Sequence, residues 1–599
     1  MHLEFSDWLI LGLYFVASAA IGLAYTRKAG RSLADYFVSG RSLPWWLAGT
    51  SMVATTFAAD TPLVVAGLVA KYGVAGNWLW WNGAFSGVLT VFFFSRLWRR
   101  AGVLTDVEFA ELRYGGRPAA VLRGFRAIYL AIPINLIIMG WVTRAMVTIL
   151  QVSLNIDPWK AAIFLFGVTA LYTVFAGLWG IIVTDLFQFV FAMGGSILLA
   201  VLAVQSVGGL DALTAQASAR FGSTEAAFGI IPPLDAPWLP LTTLLVWLSV
   251  QWWAAWYPGQ EPGGGGYIVQ RILSTKDERN GLLATLWFTI AHYALRPWPW
   301  ILVGFVGLLR YPGLANPEEG YVRVMVDVLP SPFKGLLLAA FAAAYMSTIS
   351  THLNWGASYL VNDVYLRFIK PDASPRAQVV ASRAATAVLM VSSLVVMSFL
   401  TSVEQGWKIL IGLGAGTGLV FILRWYWWRV NAWSEIAAML ASFATSLALA
   451  ARGHSMSDTG TTDYAFTLLT IVLVTTAVWL GVTFLTAPES EATLDRFYRR
   501  VRPGGPGWRE VARRLGYGDD RIPGGALSWA NWVAGLVAVY AAVFAVGAAV
   551  TGTPLRGVLY ALAALGAFSL IHRNLRADEQ LAAGVDRALD PELRFDPGK

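Results

Sequence analysis

The chain has 599 residues, of which 57% are hydrophobic and 13% are charged, and its mean hydropathy is +0.58. Soluble domains carry about 25% charged residues, so this composition predicts a polytopic protein in contact with membrane lipid. In such a protein the net charge of +8 reflects basic cytoplasmic loops, and nucleic acid is not expected as a partner. The chain has no Cys and only 5 His, without a spaced ligand set, which excludes disulfides, thiol nucleophiles and transition-metal sites.

Fifteen apolar segments follow one another along the chain. The first is long enough to cross a bilayer, which takes about 20 residues, and it lacks the features of a cleavable signal peptide. It follows the acidic MHLEFSD and precedes the basic RKAGR, so we predict a cytoplasmic-membrane protein with its N-terminus outside. Basic residues recur in alternate loops, which places the C-terminus inside. The segments lie near 6–26, 45–70, 77–97, 122–150, 159–177, 180–206, 238–257, 281–309, 333–365, 377–401, 408–428, 431–451, 464–486, 525–550 and 554–571.

The segments after the first divide into two sets of five, 45–206 and 238–428, with an extracellular loop at 207–237 between them. Since five is odd, the second set enters the membrane from the opposite side, as in the inverted repeats of many secondary transporters. The remaining parts are an extra N-terminal helix in 1–30, accessory helices in 431–571 and a cytoplasmic tail at 572–599.

Helix-weakening residues collect in the first core helix, LAGTSMVATTFAADTPLVVAGLVA. Pro62 removes one backbone hydrogen bond and is expected to free the carbonyl of Ala58. A free carbonyl in the bilayer needs a partner, which is either a Thr hydroxyl in a harmless kink or a cation or substrate. Asp60 costs about 2.5–3.5 kcal/mol at mid-membrane on insertion scales, so it should face a cavity or a partner.

Arg296 presents the opposite charge in the middle of FTIAHYALRPWPWILVGF. Asp60 and Arg296 can pair with each other structurally, or each can meet an ion or the substrate, and the sequence does not decide between these. We favour a binding or gating role, because charges within membrane helices are usually functional.

The stretch MSTISTHLNWGASYLVNDVY, at 346–365, ends a long apolar run with many hydroxyl and amide side chains. Ser347, Thr351, Asn354 and Ser358 recur at four, three and four residues, so they share one helical face, with Thr348 at its edge. These hydroxyls either bond carbonyls of the preceding turn or coordinate a small hard cation. Spacing alone leaves both possibilities open.

Four motifs in chain order resemble the sodium:solute symporter family, which includes bacterial proline, sialic acid and galactose transporters and human sodium-glucose transporters. They are DYFVSGRSLPWWLAGTSMVATT at 35–56, YTVFAGLWGIIVTDLFQ at 172–188, YIVQRILSTKDER at 267–279 and the stretch at 346–365. The resemblance implies an all-α, LeuT-type inverted repeat of five plus five helices, with one extra N-terminal and about four extra C-terminal helices. It also implies import of a small organic solute by alternating access, with Na+ as the coupling ion.

The resemblance further implies a sodium site made of neutral oxygens, which suit an ion that must be released as well as bound. Asp185, in the TDLFQ turn, matches an acidic position near the inner side of the ion path, although a structural role at a helix end is the alternative. The implied sodium ligands are the carbonyls of Ala54, Phe57 and Ala344 and the hydroxyls of Ser347 and Thr348.

The substrate site carries over less well, because several positions depart from the sugar-transporting members. Tyr267 matches the tyrosine that closes their site from the inside, but Gly265 and Gly266 replace the polar pair before it. Thr61 takes the polar position after the first-helix break, and Trp407 takes that of a sugar-contacting Gln.

The nature of the solute therefore stays open. Thr56 replaces the intramembrane Asp of the proline transporter, so proline is also doubtful. With Asp60 and Arg296 as further candidates for the substrate site, the solute can be a sugar, an amino acid, an amine or a carboxylate.

Other functions are less consistent with the sequence. A proton-coupled symporter of the same fold would use Asp60 or Asp185 as its titrating group, whereas the Ser-Thr pair favours sodium. A membrane enzyme would need paired acids, a metal cluster or a nucleophile beside His, and we predict no enzymatic activity. A transporter-like sensor would need a signalling domain larger than the 28 residues of 572–599.

Overall fold

The computed structural model describes residues 3–29, 41–103, 107–173, 178–234, 236–255, 262–454, 456 and 462–588. Within these residues the chain forms helices and one isolated parallel β-bridge, between Leu43 and Thr275. The all-helical prediction is confirmed.

The principal helices are numbered in chain order. They are α1 (Phe5–Ala29), α2 (Trp45–Thr55), α3 (Thr61–Tyr72), α4 (Ser95–Ala101), α5 (Gly116–Tyr129), α6 (Asn135–Leu154), α7 (Pro158–Thr173), α8 (Leu178–Ser206), α9 (Leu241–Val246), α10 (Gly266–Ser274), α11 (Glu278–Ile290), α12 (Trp298–Arg310), α13 (Glu319–Val328), α14 (Phe333–Ser358), α15 (Pro375–Phe399), α16 (Val403–Gly414), α17 (Gly418–Tyr426), α18 (Ala432–Ala451), α19 (Thr462–Leu485), α20 (Glu491–Val501), α21 (Gly525–Val550) and α22 (Pro554–Ala588). Shorter helices lie at Trp78–Trp81, Gly83–Leu89, Phe109–Arg113, Leu210–Phe221, Thr224–Phe228, Trp252–Ala254 and Arg509–Arg514, π-helical turns at Thr90–Phe94, Leu130–Ile134, Trp247–Gln251, Ala291–Leu295 and Tyr359–Ile369, and 3₁₀ turns at Val74–Asn77 and Pro506–Trp508.

Several membrane segments are interrupted helices. Among the described residues, eight helices are long and apolar enough to cross a membrane, or nine if α16 and α17, which meet at a 49° bend, form one span. Segment 45–70 consists of α2 and α3, and segment 281–309 consists of α11 and α12 with a π-helical turn between them. The apolar segments outnumber the unbroken spans because broken segments consist of short half-helices.

The break in the first core helix lies between α2 and α3. Pro62 is the second residue of α3, where the missing N–H would have no helical partner in any case. Ala58 therefore lies in the interruption that precedes α3, and Pro62 begins the second half-helix rather than kinking one continuous helix. The last turn of α2 closes with the Phe57 N–H donating to Ala54 O at 2.9 Å.

A second break, rich in Gly, precedes α10. Gly263 and Gly264 have φ of +91° and +83°, which residues with a side chain rarely adopt. The Trp98 indole donates to Gly263 O at 2.6 Å, and a Cβ on Gly263 would lie 3.0 Å from the ring of Phe94. The Gly run therefore lets the backbone approach the aromatic residues around α4 closely.

The half-helices α2 and α10 are joined by the chain that flanks them. Leu43 N–H donates to Ser274 O at 3.0 Å, and Lys276 N–H donates to Leu43 O at 3.1 Å. One terminal nitrogen of Arg271, on α10, donates to the Thr55 hydroxyl at the end of α2 at 3.1 Å. The two half-helices are thus one mechanical unit, which we call the α2–α10 unit.

The first accessory helix is attached to the core by a buried charged cluster. Glu435 on α18 accepts from Arg126 on α5 at 3.1 Å and from Arg424 on α17 at 3.4 Å. Its other oxygen accepts from the Tyr114 hydroxyl at 2.6 Å. These side chains are almost completely buried, and a buried carboxylate is tolerated only with such partners.

The connecting segment 487–524 packs against the ends of two core helices. Trp508, which is fully buried, donates from its indole to Trp425 O on α17 at 2.7 Å. Arg500 on α20 donates to Ala101 O at the end of α4 at 3.1 Å. This segment therefore bridges α4 and α17.

The last helix extends into the region that the sequence assigns to the tail. α22 continues to Ala588 without interruption. Asn574 donates to Asn531 on α21 at 2.9 Å, and Asp578 forms an ion pair with Arg96 on α4. These contacts hold this part of α22 against the bundle.

Candidate ion and substrate site

A cavity of about 10 Å³, the small cavity, lies between the end of α2, helix α8 and helix α14. A volume of about 10–15 Å³ accommodates one water molecule, so its size suits a single water or ion. All five residues predicted to bind sodium line it. Its lining is Ala54, Thr55, Phe57, Gln188, Phe189, Ala192, Ala340, Ala344, Ser347 and Thr348.

The small cavity is rich in oxygen and lies next to a helix C-terminus. Ala54 and Phe57 flank the end of α2, where the carbonyl groups carry partial negative charge. The Thr348 hydroxyl donates to Ala344 O at 2.9 Å, which leaves its oxygen lone pairs for another partner. Carbonyl and hydroxyl oxygens at an unwound helix are the ligands that bind Na+ in many secondary transporters.

A second cavity, the central cavity, has a volume of about 90 Å³ and lies beside the first-helix break. Thr55 and Thr348 line both cavities, so the two sites share side chains. The central cavity is lined by Thr55, Thr56, Ala58, Asp60, Thr61, Leu79, Trp80, Ile138, Trp141, Val142, Tyr267, Phe288, His292, Arg296, Thr348, Thr351, His352, Trp407 and Ile411.

All five predicted substrate-site candidates line the central cavity. Asp60 and Thr61 are the residues at the start of α3, and Tyr267 is the second residue of α10. Arg296 follows the π-helical turn before α12, and Trp407 lies on α16. The structure therefore brings together residues that lie more than 300 positions apart in sequence.

The guanidinium of Arg296 holds the end of α2. One terminal nitrogen donates to Val53 O at 3.0 Å and to the Thr56 hydroxyl at 2.8 Å. The same group lies 5.5 Å from the ring centre of Trp300. Arg296 is almost fully buried, and its positive charge faces the negative end of the α2 dipole.

The Asp60 carboxylate lies at the opposite side of the break, at the N-terminal end of α3. It accepts hydrogen bonds from Trp141 and, at 3.4 Å, from the Thr61 hydroxyl, and Arg296 acts on it through space. The ion pairs found among the described residues do not include one between Asp60 and Arg296. Each charge is instead placed at the helix end of opposite polarity.

The central cavity also contains residues that the sequence patterns did not identify as part of a site. Trp141 lies on α6, and His352 lies one position after Thr351 on the polar face of α14. His292 precedes Arg296 by four residues, and this helical spacing is the signal that could have identified it. Trp80 also lines the cavity, and its ring stacks on that of Tyr293 with the ring centres 5.6 Å apart.

Two further predictions concern Asp185 and the polar face of α14. The side chain of Asp185 lies outside the described residues, although its backbone belongs to α8. On the polar face of α14, the Thr348 hydroxyl bonds a carbonyl of the preceding turn and the same side chain lines both cavities, while coordination of a cation by this face stays a prediction. Ser347 lines the small cavity and Thr351 the central one.

A charged cluster, the outer cluster, joins α3, α13 and α16. Lys71, near the end of α3, bonds one Glu404 oxygen at 2.5 Å, and Lys408 bonds the other at 2.7 Å. The Glu318 carboxylate, just before α13, accepts from the main-chain N–H groups of Val403 and Glu404 at 3.1 Å each.

Stability is expected to fall between pH 5 and pH 8 because of Glu318. Burial, together with the neighbouring Glu404, raises its pKa from 4.5 to about 7 against the opposing effects of its main-chain hydrogen bonds and of Lys71. A raised pKa contributes stability that is fully present below about pH 4.5 and is lost as pH rises through 7. The loss is about 2–3 kcal/mol between pH 5 and pH 8.

Thermal unfolding of the purified protein at the two pH values tests this expectation. Glu318→Gln mimics the protonated group, so its midpoint should depend less on pH than that of the wild type. Asp211→Asn, at an exposed carboxylate on the short helix Leu210–Phe221, should leave the wild-type dependence intact. Equal pH dependence in wild type and Glu318→Gln would contradict the assignment.

Comparison with known proteins gives consistent matches. The family model described as Sodium:solute symporter family matches residues 36–442. A sodium/glucose cotransporter of Vibrio parahaemolyticus is 26% identical over 472 residues, which are 75% of this chain and 85% of that protein. Sodium/myo-inositol cotransporter 2 of Oryctolagus cuniculus is 26% identical over 486 residues, 74% of this chain and 70% of that protein.

One solved structure has the same fold. It is the substrate-bound, outward-open state of a Na+-coupled sialic acid symporter, with a TM-score of 0.64 and 22% identity. The match covers 82% of this chain and 99% of that chain. The predicted LeuT-type architecture is confirmed.

Proposed function

The chain belongs to the sodium:solute symporter family, and from this premise we propose that it imports a small organic solute together with Na+ through the central and small cavities. The resemblance noted from the four sequence motifs is confirmed, as is sodium as the coupling ion. The protein is a multi-pass membrane transporter and not an enzyme. Relatives named for glucose, myo-inositol and sialic acid support a small organic solute as its cargo.

The observation that best supports this function is the convergence of the five candidate sodium ligands on one ion-sized cavity. Two of the ligands come from the broken first helix and three from α14. An ion bound there would draw these two elements together. Because the ligands are neutral, the ion can leave again when the elements separate.

The shared lining suggests how ion and solute are coupled. Thr55 and Thr348 contribute to both cavities, so sodium in the small cavity would fix one wall of the central cavity. A solute bound there would in turn stabilise the arrangement that holds sodium, because such coupling is reciprocal. Inward movement of one charge across 100 mV releases about 2.3 kcal/mol, which can drive accumulation of the solute.

We further propose that the protein resides in the cytoplasmic membrane with its N-terminus outside and its C-terminus inside. The basic residues of 487–524 and of the end of α4 would then lie in the cytoplasm, as the positive-inside rule requires. On this orientation the outer cluster closes the extracellular side of the central cavity.

Transport in proteoliposomes tests the function. Labelled glucose, myo-inositol, sialic acid, amino acids and amines are offered with an inward sodium gradient, or with potassium in place of sodium. We expect one class of solute to accumulate only with sodium, and sodium alone to raise the thermal unfolding midpoint. Uptake that follows a pH gradient without sodium would contradict the proposal.

A further inference from the structure

The central cavity contains a negative charge that no side chain neutralises by direct contact among the described residues. Asp60 is only 4% exposed, and the hydrogen bonds that its carboxylate accepts come from neutral donors, which are the Trp141 side chain, the Thr61 hydroxyl and the main chain of Asp60 and Thr61. Arg296 directs a terminal nitrogen to the end of α2. The neutral donors stabilise the carboxylate but supply no positive charge, and a cation is the partner that a buried carboxylate favours most.

One histidine of the cavity adds an acceptor. Asn135 donates from its amide nitrogen to His352 O at 2.9 Å, so its amide oxygen, 2.6 Å from His352 Nδ1, is an acceptor. His352 Nδ1 therefore carries the proton, and Nε2 is left as an acceptor.

The apolar lining of the cavity is largely aromatic. Trp80, Trp141, Tyr267, Phe288 and Trp407 line it together with Asp60. The faces of such rings attract cations, most strongly when water is excluded. A carboxylate, a histidine acceptor and aromatic rings thus favour, on the Asp60 side of the cavity, a ligand group that is positively charged and rich in hydrogen-bond donors.

We propose that the transported solute carries a protonated amine, which binds at Asp60. An ammonium group supplies three N–H donors, no acceptor and a positive charge that balances the Asp60 carboxylate. Each hydroxyl of a neutral polyol supplies only one donor and no charge. A carboxylate placed at Asp60 would be repelled. This inference rests on the proposed function, because it names the cargo of the same central cavity.

Uptake from a mixture of metabolites tests the charge of the cargo. A soluble bacterial metabolite extract is separated by cation exchange into a retained fraction and a flow-through, and each is offered to proteoliposomes with an inward sodium gradient. Mass spectrometry of the vesicle contents should find sodium-dependent accumulation from the retained fraction only. In competition, D-glucosamine should inhibit this uptake more than D-glucose, and D-glucuronate should not inhibit it.

Substitutions of Asp60 test whether this residue binds the amine group of the solute. Asp60→Asn should lower amine accumulation about 10- to 100-fold, the value of a hydrogen bond to a charged group, while Asp60→Glu should keep the preference for amines. Asp211→Asn, the same change at an exposed site, should accumulate amines like the wild type. The sodium-induced rise in the unfolding midpoint should persist in Asp60→Asn, which shows that the variant is folded and that the small cavity is intact.

The outcomes separate this proposal from the one on which it rests. Accumulation of neutral or acidic solutes only, or unchanged amine accumulation by Asp60→Asn, would overturn the amine assignment and leave sodium coupling in place. If sodium did not raise the unfolding midpoint of the wild type, that result would instead count against the sodium site itself. Absence of sodium-dependent accumulation from the retained fraction also counts against the amine.

Discussion

Replacement of Ser347 and Thr348 together by Ala is expected to abolish sodium-driven accumulation of the solute. The two hydroxyls line the small cavity beside Ala54 and Ala344, and alanine at both positions removes two of the five proposed ligands. Each hydrogen bond to a charged group contributes about 1.5–3 kcal/mol, so sodium affinity should fall by more than about 100-fold. Uptake in proteoliposomes and the sodium-induced shift of the unfolding midpoint measure the two effects.

Ser350→Ala is the matched control for this double variant. Ser350 lies on the same helix and is buried, its hydroxyl donates to Ser347 O at 3.1 Å, and it lines neither cavity. We expect its sodium response to equal that of the wild type. The double variant itself should remain folded, since the loss of the bond from Thr348 to Ala344 O costs only about 1 kcal/mol. A sodium response retained by the double variant would exclude the small cavity as the sodium site.

Replacement of Arg296 by Met is expected to destabilise the protein and to prevent transport. The change removes the donor to Val53 O and to the Thr56 hydroxyl, and leaves the end of α2 with an unbalanced helix dipole. Each hydrogen bond from a charged donor contributes about 1.5–3 kcal/mol, so the loss of the two should cost about 3–6 kcal/mol. Thermal unfolding and sodium-driven uptake are the measurements.

Two further variants distinguish a structural role of Arg296 from a role in binding the solute. Arg296→Lys keeps the charge but has a single nitrogen, so it should recover part of the stability and little of the transport. Arg310→Met, at the exposed C-terminal end of α12, should change the unfolding midpoint only slightly. If Arg296→Met were as stable as the wild type and lost only solute binding, Arg296 would be a substrate ligand rather than the group that holds the helix break.

The five candidate sodium ligands came from the family resemblance, and all five line one cavity, whereas their binding of sodium stays a prediction. The residues themselves mark only a polar pair and a helix break. The Ser-Thr pair occurs in an otherwise apolar run, and Asp60 and Pro62 indicate an interrupted helix. The role of Pro62 could not be predicted, since proline is compatible both with a kink inside a helix and with the first turn of a new one. Only the position of α3 distinguishes these two cases.

The rest of the central cavity could not be predicted from local patterns. Trp141 and His352 belong to helices that become neighbours only in the fold, and a single Trp or His in an apolar helix is usually a packing residue. The outer cluster could not be predicted from local patterns either, because Lys71 and Glu404 are 333 positions apart in the sequence. Local sequence specifies helix breaks and polar faces, whereas the partners across the cavity depend on the tertiary arrangement.

The α2–α10 unit has a consequence for the transport cycle. Through Ala54 and Phe57, α2 contributes to the small cavity, and α10 places Tyr267 beside the central cavity. Because main-chain hydrogen bonds through Leu43 connect these half-helices, a tilt of the α2–α10 unit that moves Tyr267 would also move the carbonyls of Ala54 and Phe57 relative to α14. Release of the ion and opening of the exit for the solute would then be parts of the same movement.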